Sequence, residues 1–349
     1  MANSTRLVHI DALRGLAVLL MVMVHAAATW NPYTTTQISP LAYIISGLGG
    51  LAAPLFVSLL GWGLARGQMD WSQRFIRAGF LCFCQGLVNL TSPHLFEFFT
   101  PGVLTLMALL ILTEPMWMAP LHMKRRSPES VLLFTMAALY VLLEIKSEWQ
   151  GLSEWGPRVA TPNASTFVEH LLITGTYPLI PWFLFAMLGA TIALTPSEIQ
   201  PRKARIALAI GLTTSLLILI DTIRLGQVWA LPSGDARLTF FPANGPFLIA
   251  ATTGSVLLWS VIQRTLASPA LASVGRVSLT IYVAHFIPFY WLHGLAQSQS
   301  WSLQTSSFVV MIYTLLWAGF GILWHRKAER YTLESFMRST EAALALKSP

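Results

Sequence analysis

The stretch Ile10-Asp11-Ala12-Leu13-Arg14-Gly15, continued by an apolar run to His25, decides how the rest of the chain is read. Its length and apolarity suit a membrane-crossing helix, for which about 20 mostly apolar residues suffice. Yet it carries a carboxylate, a guanidinium and an imidazole, groups that are costly in lipid and therefore candidates for function. At about 100° per residue, the eleven steps from Arg14 to His25 return to within roughly 20° of the same face. Asp11 precedes Arg14 by three residues, a spacing that makes helix side chains neighbours. One face of this helix thus presents Asp11 and Arg14 together, with His25 about 16 Å further along. The remaining chain is expected to form a cage around that face.

The composition agrees. The 349 residues are 54% hydrophobic and only 11% charged, against about 25% charged in soluble domains, and the mean hydropathy is +0.60. These values place the chain in the membrane class. The fold class expected is all-α: a polytopic transmembrane bundle of about ten spans. The spans fall near residues 8–29, 41–65, 75–91, 101–121, 129–146, 178–195, 205–223, 246–265, 274–295 and 306–324. A transmembrane domain over 1–325 would then be followed by a polar tail over 326–349.

Loop charges test this division. Alternate loops with the two termini hold Arg6, Arg66, Arg74, Arg77, the run Lys124 to Arg126, Arg202, Lys203, Arg205, Arg264, Arg276 and the basic residues of the tail. The intervening loops hold only Lys146, Arg158, Arg224 and Arg237. Seventeen basic residues thus stand against four, with Arg14 inside the first span. Basic residues accumulate on the cytoplasmic side, so both termini are expected there, in a multi-pass protein of the inner (plasma) membrane. The same alternation accounts for the net charge of +7 without nucleic acid as a partner. Cys82 and Cys84, two apart on a helix, do not face each other and read as apolar cysteines. Neither a metal site nor a bound cofactor is expected. The first apolar run lacks a small-residue cleavage site and reads as a retained span.

Each polar group has a bland reading and a sharp one. Arg14 either snorkels to the interface beside Asp11 or holds an anion, its fork suiting a phosphate. His25 either bonds a neighbouring helix or acts as a general base. His285 lies mid-span in the ninth helix with Tyr282 three residues before it, and either packs there or shares in function. Asn89, His94, Glu97, Glu114, Glu144 and Asp221 sit near span ends and read as structural. Trp30, Trp149, Trp155, Trp229 and Trp301 read as an interfacial belt. The loops 147–177 and 224–245 are long enough to suggest a role. The sixth span opens on Tyr177-Pro178-Leu179-Ile180-Pro181-Trp182, prolines at a helix start. Gly61 and Gly63 would permit close helix approach, or close approach of a ligand.

Arg14, ten residues, then His25 resembles the R-x10-H signature of the acyltransferase 3 type of membrane acyltransferase, and Ile10 to Ala17 resembles that superfamily's opening motif. Ala53 to Gly61 is more loosely similar to a second-span segment of the family. Tyr177 to Trp182 with Gly189, and Val274-Gly275-Arg276-Val277-Ser278-Leu279-Thr280-Ile281-Tyr282 with His285, resemble segments of a bacterial branch of unknown function. That branch is related to the heparan-α-glucosaminide N-acetyltransferase catalytic domain. The position matching His25 is Asn in the heparan-glucosaminide branch, whose catalytic His lies in the next luminal stretch; here residues 31–40 hold no His.

The resemblance implies transfer of an acyl group, commonly acetyl, from cytoplasmic acyl-CoA to a periplasmic or envelope glycan. It leaves open whether the acceptor is an amine or a hydroxyl. It implies His25 as base, Arg14 as a donor-holding group and Asp11 as the group that orients or neutralises Arg14. His285, Tyr282, Asn31 and Trp182 become candidates for binding donor or acceptor. Acyl-CoA would be a co-substrate, the lipid bilayer and the glycan the other partners, and a homo-oligomer is possible. The residues alone also admit a secondary transporter using His and Arg as a proton or anion pathway, and a non-catalytic scaffold.

Overall fold

A computed structural model describes residues 7–30, 40–266 and 268–345. In chain order the helices are α1 (Val8–Thr29), α2 (Pro40–Gly49), α3 (Ala52–Arg66), α4 (Trp71–Thr91), α5 (Val103–Leu112), α6 (Glu114–Met118), α7 (Pro128–Ile145), α8 (Trp155–Val159), α9 (Ala164–Glu169), α10 (Leu179–Leu194) and α11 (Gln200–Arg224). Strands β1 (Ala230–Ser233) and β2 (Leu238–Phe241) follow, then α12 (Gly245–Val261), α13 (Pro269–Arg276), α14 (Ser278–Ala284), α15 (Phe289–Leu292), α16 (Leu295–Ser298), α17 (Leu303–Ala328) and α18 (Leu333–Ala345). β1 and β2 pair in parallel, Ala230 opposite Leu238. The chain is therefore mostly helical rather than wholly so: the loop expected at 224–245 carries apolar residues that form a short ladder.

Six helical segments are long and apolar enough to cross a membrane: Val8–Thr29, Pro40–Arg66, Pro128–Ile145, Gln200–Arg224, Gly245–Arg264 and Leu303–Ala343. Three bent pairs raise the number to nine among the described residues: Val103–Leu112 with Glu114–His122 at 72°, Ala164–Thr174 with Leu179–Leu194 at 46°, and Pro269–Arg276 with Ser278–Ser298 at 65°. The chain is a multi-pass membrane protein. The remaining expected span, near 75–91, is α4, a helix of 21 residues. It is long enough but more polar, and its polar groups have local partners. Gln85 donates to Asn89 at 2.9 Å and accepts the Leu104 N–H at 3.2 Å, while Asn89 donates to the carbonyls of Phe98 and Thr100 at 2.8 and 2.9 Å. Arg74 pairs with Glu114 at 2.6 Å. Asn89 and Glu114, expected to be structural, thus each have partners near the span ends. Glu97 accepts the Thr161 N–H at 2.8 Å and Glu144 lies 3.7 Å from Arg237.

The chain divides into two compact units, residues 57–257 and residues 1–56 with 258–349. In the first, α3 and α10 approach closely: a Cβ at Gly61 would overlap the Ala186 carbonyl, and one at Gly189 the Ser58 carbonyl, whereas one at Gly63 would meet nothing within 4 Å. The loop over 147–177 closes on Arg158, which is 2% exposed. Its guanidinium donates to Thr174 and Gly175 carbonyls at 2.8 and 3.2 Å and to that of Gln150 at 2.9 Å. Burial pulls this guanidinium down to about 10, still protonated at neutral pH. Two stretches of the loop, at 150 and at 174–175, thus share one cation.

In the second unit α1 is the central helix. It packs against α13, α17, α2 and α14, and buried residues surround its axis, Asp11 and His25 among them. A helix apolar all round belongs inside a bundle. Contact between α1 and α13 is backbone to backbone. A Cβ on Gly15 would overlap the Leu271 carbonyl, and a Cβ on Gly275 that of Asp11. Small residues at such crossings let membrane helices come close enough to pack. Gly275→Ala is expected to destabilise the chain by about 1–3 kcal/mol, the usual cost of overpacking. The readout is the midpoint for heat-induced loss of the monodisperse species in detergent, and Gly63→Ala should leave that midpoint in place.

Candidate functional site

The site is built from the two ends of α1 and the broken span α13–α14. Asp11, in the first turn of α1, is buried, and a buried carboxylate requires a partner. The close approach at Gly15 and Gly275 brings Arg276, the last residue of α13, to 3.4 Å from the Asp11 carboxylate. Arg276 also donates to His325 Nε2 of α17 at 3.2 Å, and His325 Nδ1 stands 3.6 Å from Glu329. This chain of polar groups ties α1, α13 and α17 together. Arg14 lies one turn along α1 from Asp11 and is half-buried. The sequence showed Arg276 only as a loop charge within the Val274-Gly275-Arg276 motif, because its partner is 265 positions away.

At the far end of α1, His25 Nδ1 meets His285 Nε2 at 3.0 Å, both rings buried. The rings are nearly parallel, 9° apart, with centroids 5.2 Å apart. His285 ends α14, and its Nδ1 lies 3.0 Å from the Ile281 carbonyl. A carbonyl only accepts, so with neutral rings the His285 proton sits on Nδ1. Nε2 of His285 is then an acceptor, and His25 must donate to it from Nδ1. The lone pair of His25 is thereby assigned to Nε2. One backbone carbonyl fixes the tautomers of both rings in series.

Aromatic rings enclose the pair. Phe286 lies 4.6 Å from the His25 ring and 4.2 Å from that of His285. Tyr282 stands edge-on to both, at 6.0 and 5.8 Å. Tyr313 of α17 donates its hydroxyl to the His285 carbonyl at 2.6 Å, a contact with no local signal in the sequence. The end of α1 is held by Trp30, whose indole donates to the Leu292 carbonyl at 2.8 Å and whose own carbonyl accepts from Ser306. Trp30 is 2% exposed, so it is a packing residue and not part of an interfacial belt.

Of the residues singled out from sequence, His25, His285 and Tyr282 therefore come together, and Asp11 and Arg14 occupy the opposite end of the same helix. Trp182 belongs to the unit 57–257, where it is fully buried among Tyr177, Phe185, Phe240 and Phe247. Among the described residues its indole N–H has no hydrogen-bond partner. Asn31 lies outside the described residues. Among the described residues, no group of three His, Cys, Asp or Glu side chains is placed to hold a metal ion.

No individually curated protein matches the chain. Residues 6–225, more than half of the length, match the family of the heparan-alpha-glucosaminide N-acetyltransferase catalytic domain, a family of membrane acyltransferases to which this chain belongs.

Proposed function

We infer that this protein moves an acyl group, acetyl in the first instance, from acyl-CoA on the cytoplasmic side to an envelope glycan, with His25 as general base. The observation that carries the reading is the His25–His285 hydrogen bond at 3.0 Å, which leaves His25 Nε2 as the lone pair available to an acceptor. In the reaction, an acceptor hydroxyl or amine gives its proton to His25 Nε2 as its oxygen or nitrogen attacks the thioester carbonyl. The new C–O or C–N bond forms, the C–S bond breaks, and the proton on Nε2 passes to the departing CoA sulfur. A positioned imidazole in this role contributes about 10²–10⁴-fold. The positive charge that develops on His25 is stabilised through its Nδ1–H by the lone pair of His285.

Arg14, half-buried toward the terminus that basic loops assign to the cytoplasm, suits a phosphate of the donor. The Asp11–Arg276 pair would keep that end of α1 in register with α13. The bacterial branch whose later motifs this chain resembles fits the same assignment, as does an inner-membrane location with both termini cytoplasmic. A proton pathway is less well served by this geometry: the series His25, His285, Ile281 carbonyl ends on a group that cannot pass a proton on.

The test is full-length protein in lipid nanodiscs with acetyl-CoA and glucosamine, which offers both an amine and hydroxyls. Thiol release that depends on glucosamine is expected, and the lability of the product to mild base separates O- from N-acetyl. Absence of acceptor-dependent thiol release with glucosamine and with a purified envelope glycan would overturn the reading. Substrate flux into proteoliposomes without loss of acetyl-CoA would replace it with transport.

A further inference from the structure

The break between α13 and α14 creates a need that the C-terminal helix meets. At Val277 the backbone leaves helical geometry (φ −118°, ψ 27°), and α14 starts anew at Ser278. A new helix start has N–H groups with no partner inside the helix, and within a membrane protein such groups must be satisfied internally. Here the partner is Glu334 of α18. Its Oε1 accepts the N–H of Leu279 at 2.6 Å and that of Thr280 at 3.3 Å, and its Oε2 accepts the Thr280 hydroxyl at 2.6 Å. The Thr280 hydroxyl oxygen in turn accepts the Leu333 N–H at 2.8 Å. Four hydrogen bonds thus join the first turn of α14 to the first turn of α18. A carboxylate is the best ligand for this place, since it also meets the positive end of the helix dipole.

What α14 carries makes the joint more than a fastening. The helix has seven residues, and His285 follows directly at its end, about 7.5 Å above Thr280 at 1.5 Å per residue. A rigid rod this short transmits a shift at its base to its tip. We propose that Glu334 is a positioning residue, through which α18 sets the height and rotation of α14 and so the bond from His285 to His25. The proposal rests on the reading of the histidine pair as the acid–base centre. It gives the C-terminal segment, to which the sequence alone assigns no function, a part in that centre.

The experiment uses the full chain in nanodiscs with ¹⁵N-labelled histidine. Wild type is expected to show His25 protonated on Nδ1 and unprotonated on Nε2. Glu334→Ala should average that pattern between tautomers and lower kcat for acyl transfer about 10–100-fold, the scale of a displaced catalytic group, with KM for acetyl-CoA unchanged. Glu334→Gln keeps an acceptor oxygen for the two N–H groups and should restore the pattern and most of the rate. Arg338→Ala, an exposed change on the same helix, should alter neither. Should Glu334→Ala fail to fold, Thr280→Val, which removes only the bridging hydroxyl, carries the same test. An active wild type whose Glu334→Ala variant keeps both the spectrum and kcat overturns the positioning role and leaves the acyltransferase reading standing. A wild type that transfers no acyl group, yet loses its tautomer pattern on Glu334→Ala, overturns the acyltransferase reading and leaves the positioning role standing.

Discussion

His25→Ala is expected to lower kcat for acyl transfer by about 10²–10⁴-fold, the contribution of a positioned general base, with little change in KM for acetyl-CoA. The split follows from where the side chain acts. His25 receives the acceptor's proton as the thioester is attacked, so its loss removes an interaction made in the transition state and not in donor binding. His25→Gln should be no better, because an amide fills the space but takes no proton. A variant that retains wild-type kcat would remove His25 from the chemistry.

That His25 was a candidate was legible in the sequence, and the reason is energetic. An apolar run of the length of α1 fixes a buried environment, and polar groups in it stand out against their cost. The same logic anticipated the six to nine spans that are long and apolar enough to cross a membrane among the described residues, because hydropathy over about 20 residues is a local property. It reads less well where the chain bends. Pro115 closes off α5 and Pro178 precedes α10, both visible as residues that cannot continue a helix. The break at Val277 has no such marker. There, Gly275 and Asp11 force two backbones together, and the capping group that makes the break tolerable is Glu334, 55 positions away from Leu279.

Partners, as distinct from candidates, were the part that local pattern could not supply. Periodicity shows that Asp11 and Arg14 share a face, but the ion pair of Asp11 with Arg276 spans 265 positions. It likewise shows His25 and His285 as two separate buried imidazoles, each as compatible with packing as with function. Their bond across 260 positions depends on how α1, α13 and α14 cross, and that depends on the two glycines. His285 also lies beyond the segment 6–225 that carries the family match, so membership in the family does not by itself assign it a role. The Ile281 carbonyl decides the tautomers, and a backbone acceptor has no signature in a sequence at all. Trp30 shows the converse error: an aromatic at a span end looks interfacial, yet Leu292 and Ser306 bind it inside.

His285→Leu is the second large effect, and comparison with His285→Gln gives it meaning. Leucine leaves the His25 Nδ1–H without its acceptor in a buried setting. During reaction that N–H belongs to a cation, and a hydrogen bond to a charged group is worth about 1.5–3 kcal/mol. At 1.36 kcal/mol per tenfold, kcat is expected to fall about 10–150-fold, again with KM for acetyl-CoA held. Glutamine offers a carbonyl oxygen in the same place. It can accept from His25 Nδ1 and hold the tautomer, but its amide cannot relay a proton. Recovery of most of the rate in His285→Gln therefore means that His285 orients His25 and stabilises its charge. No recovery, with both variants equally impaired and equally folded, would mean that a proton must travel through residue 285, and the series ending on the Ile281 carbonyl would then have to rearrange during turnover. The orienting role is the one the geometry favours, because the Ile281 carbonyl holds the His285 proton on the side away from His25 and keeps Nε2 free to accept.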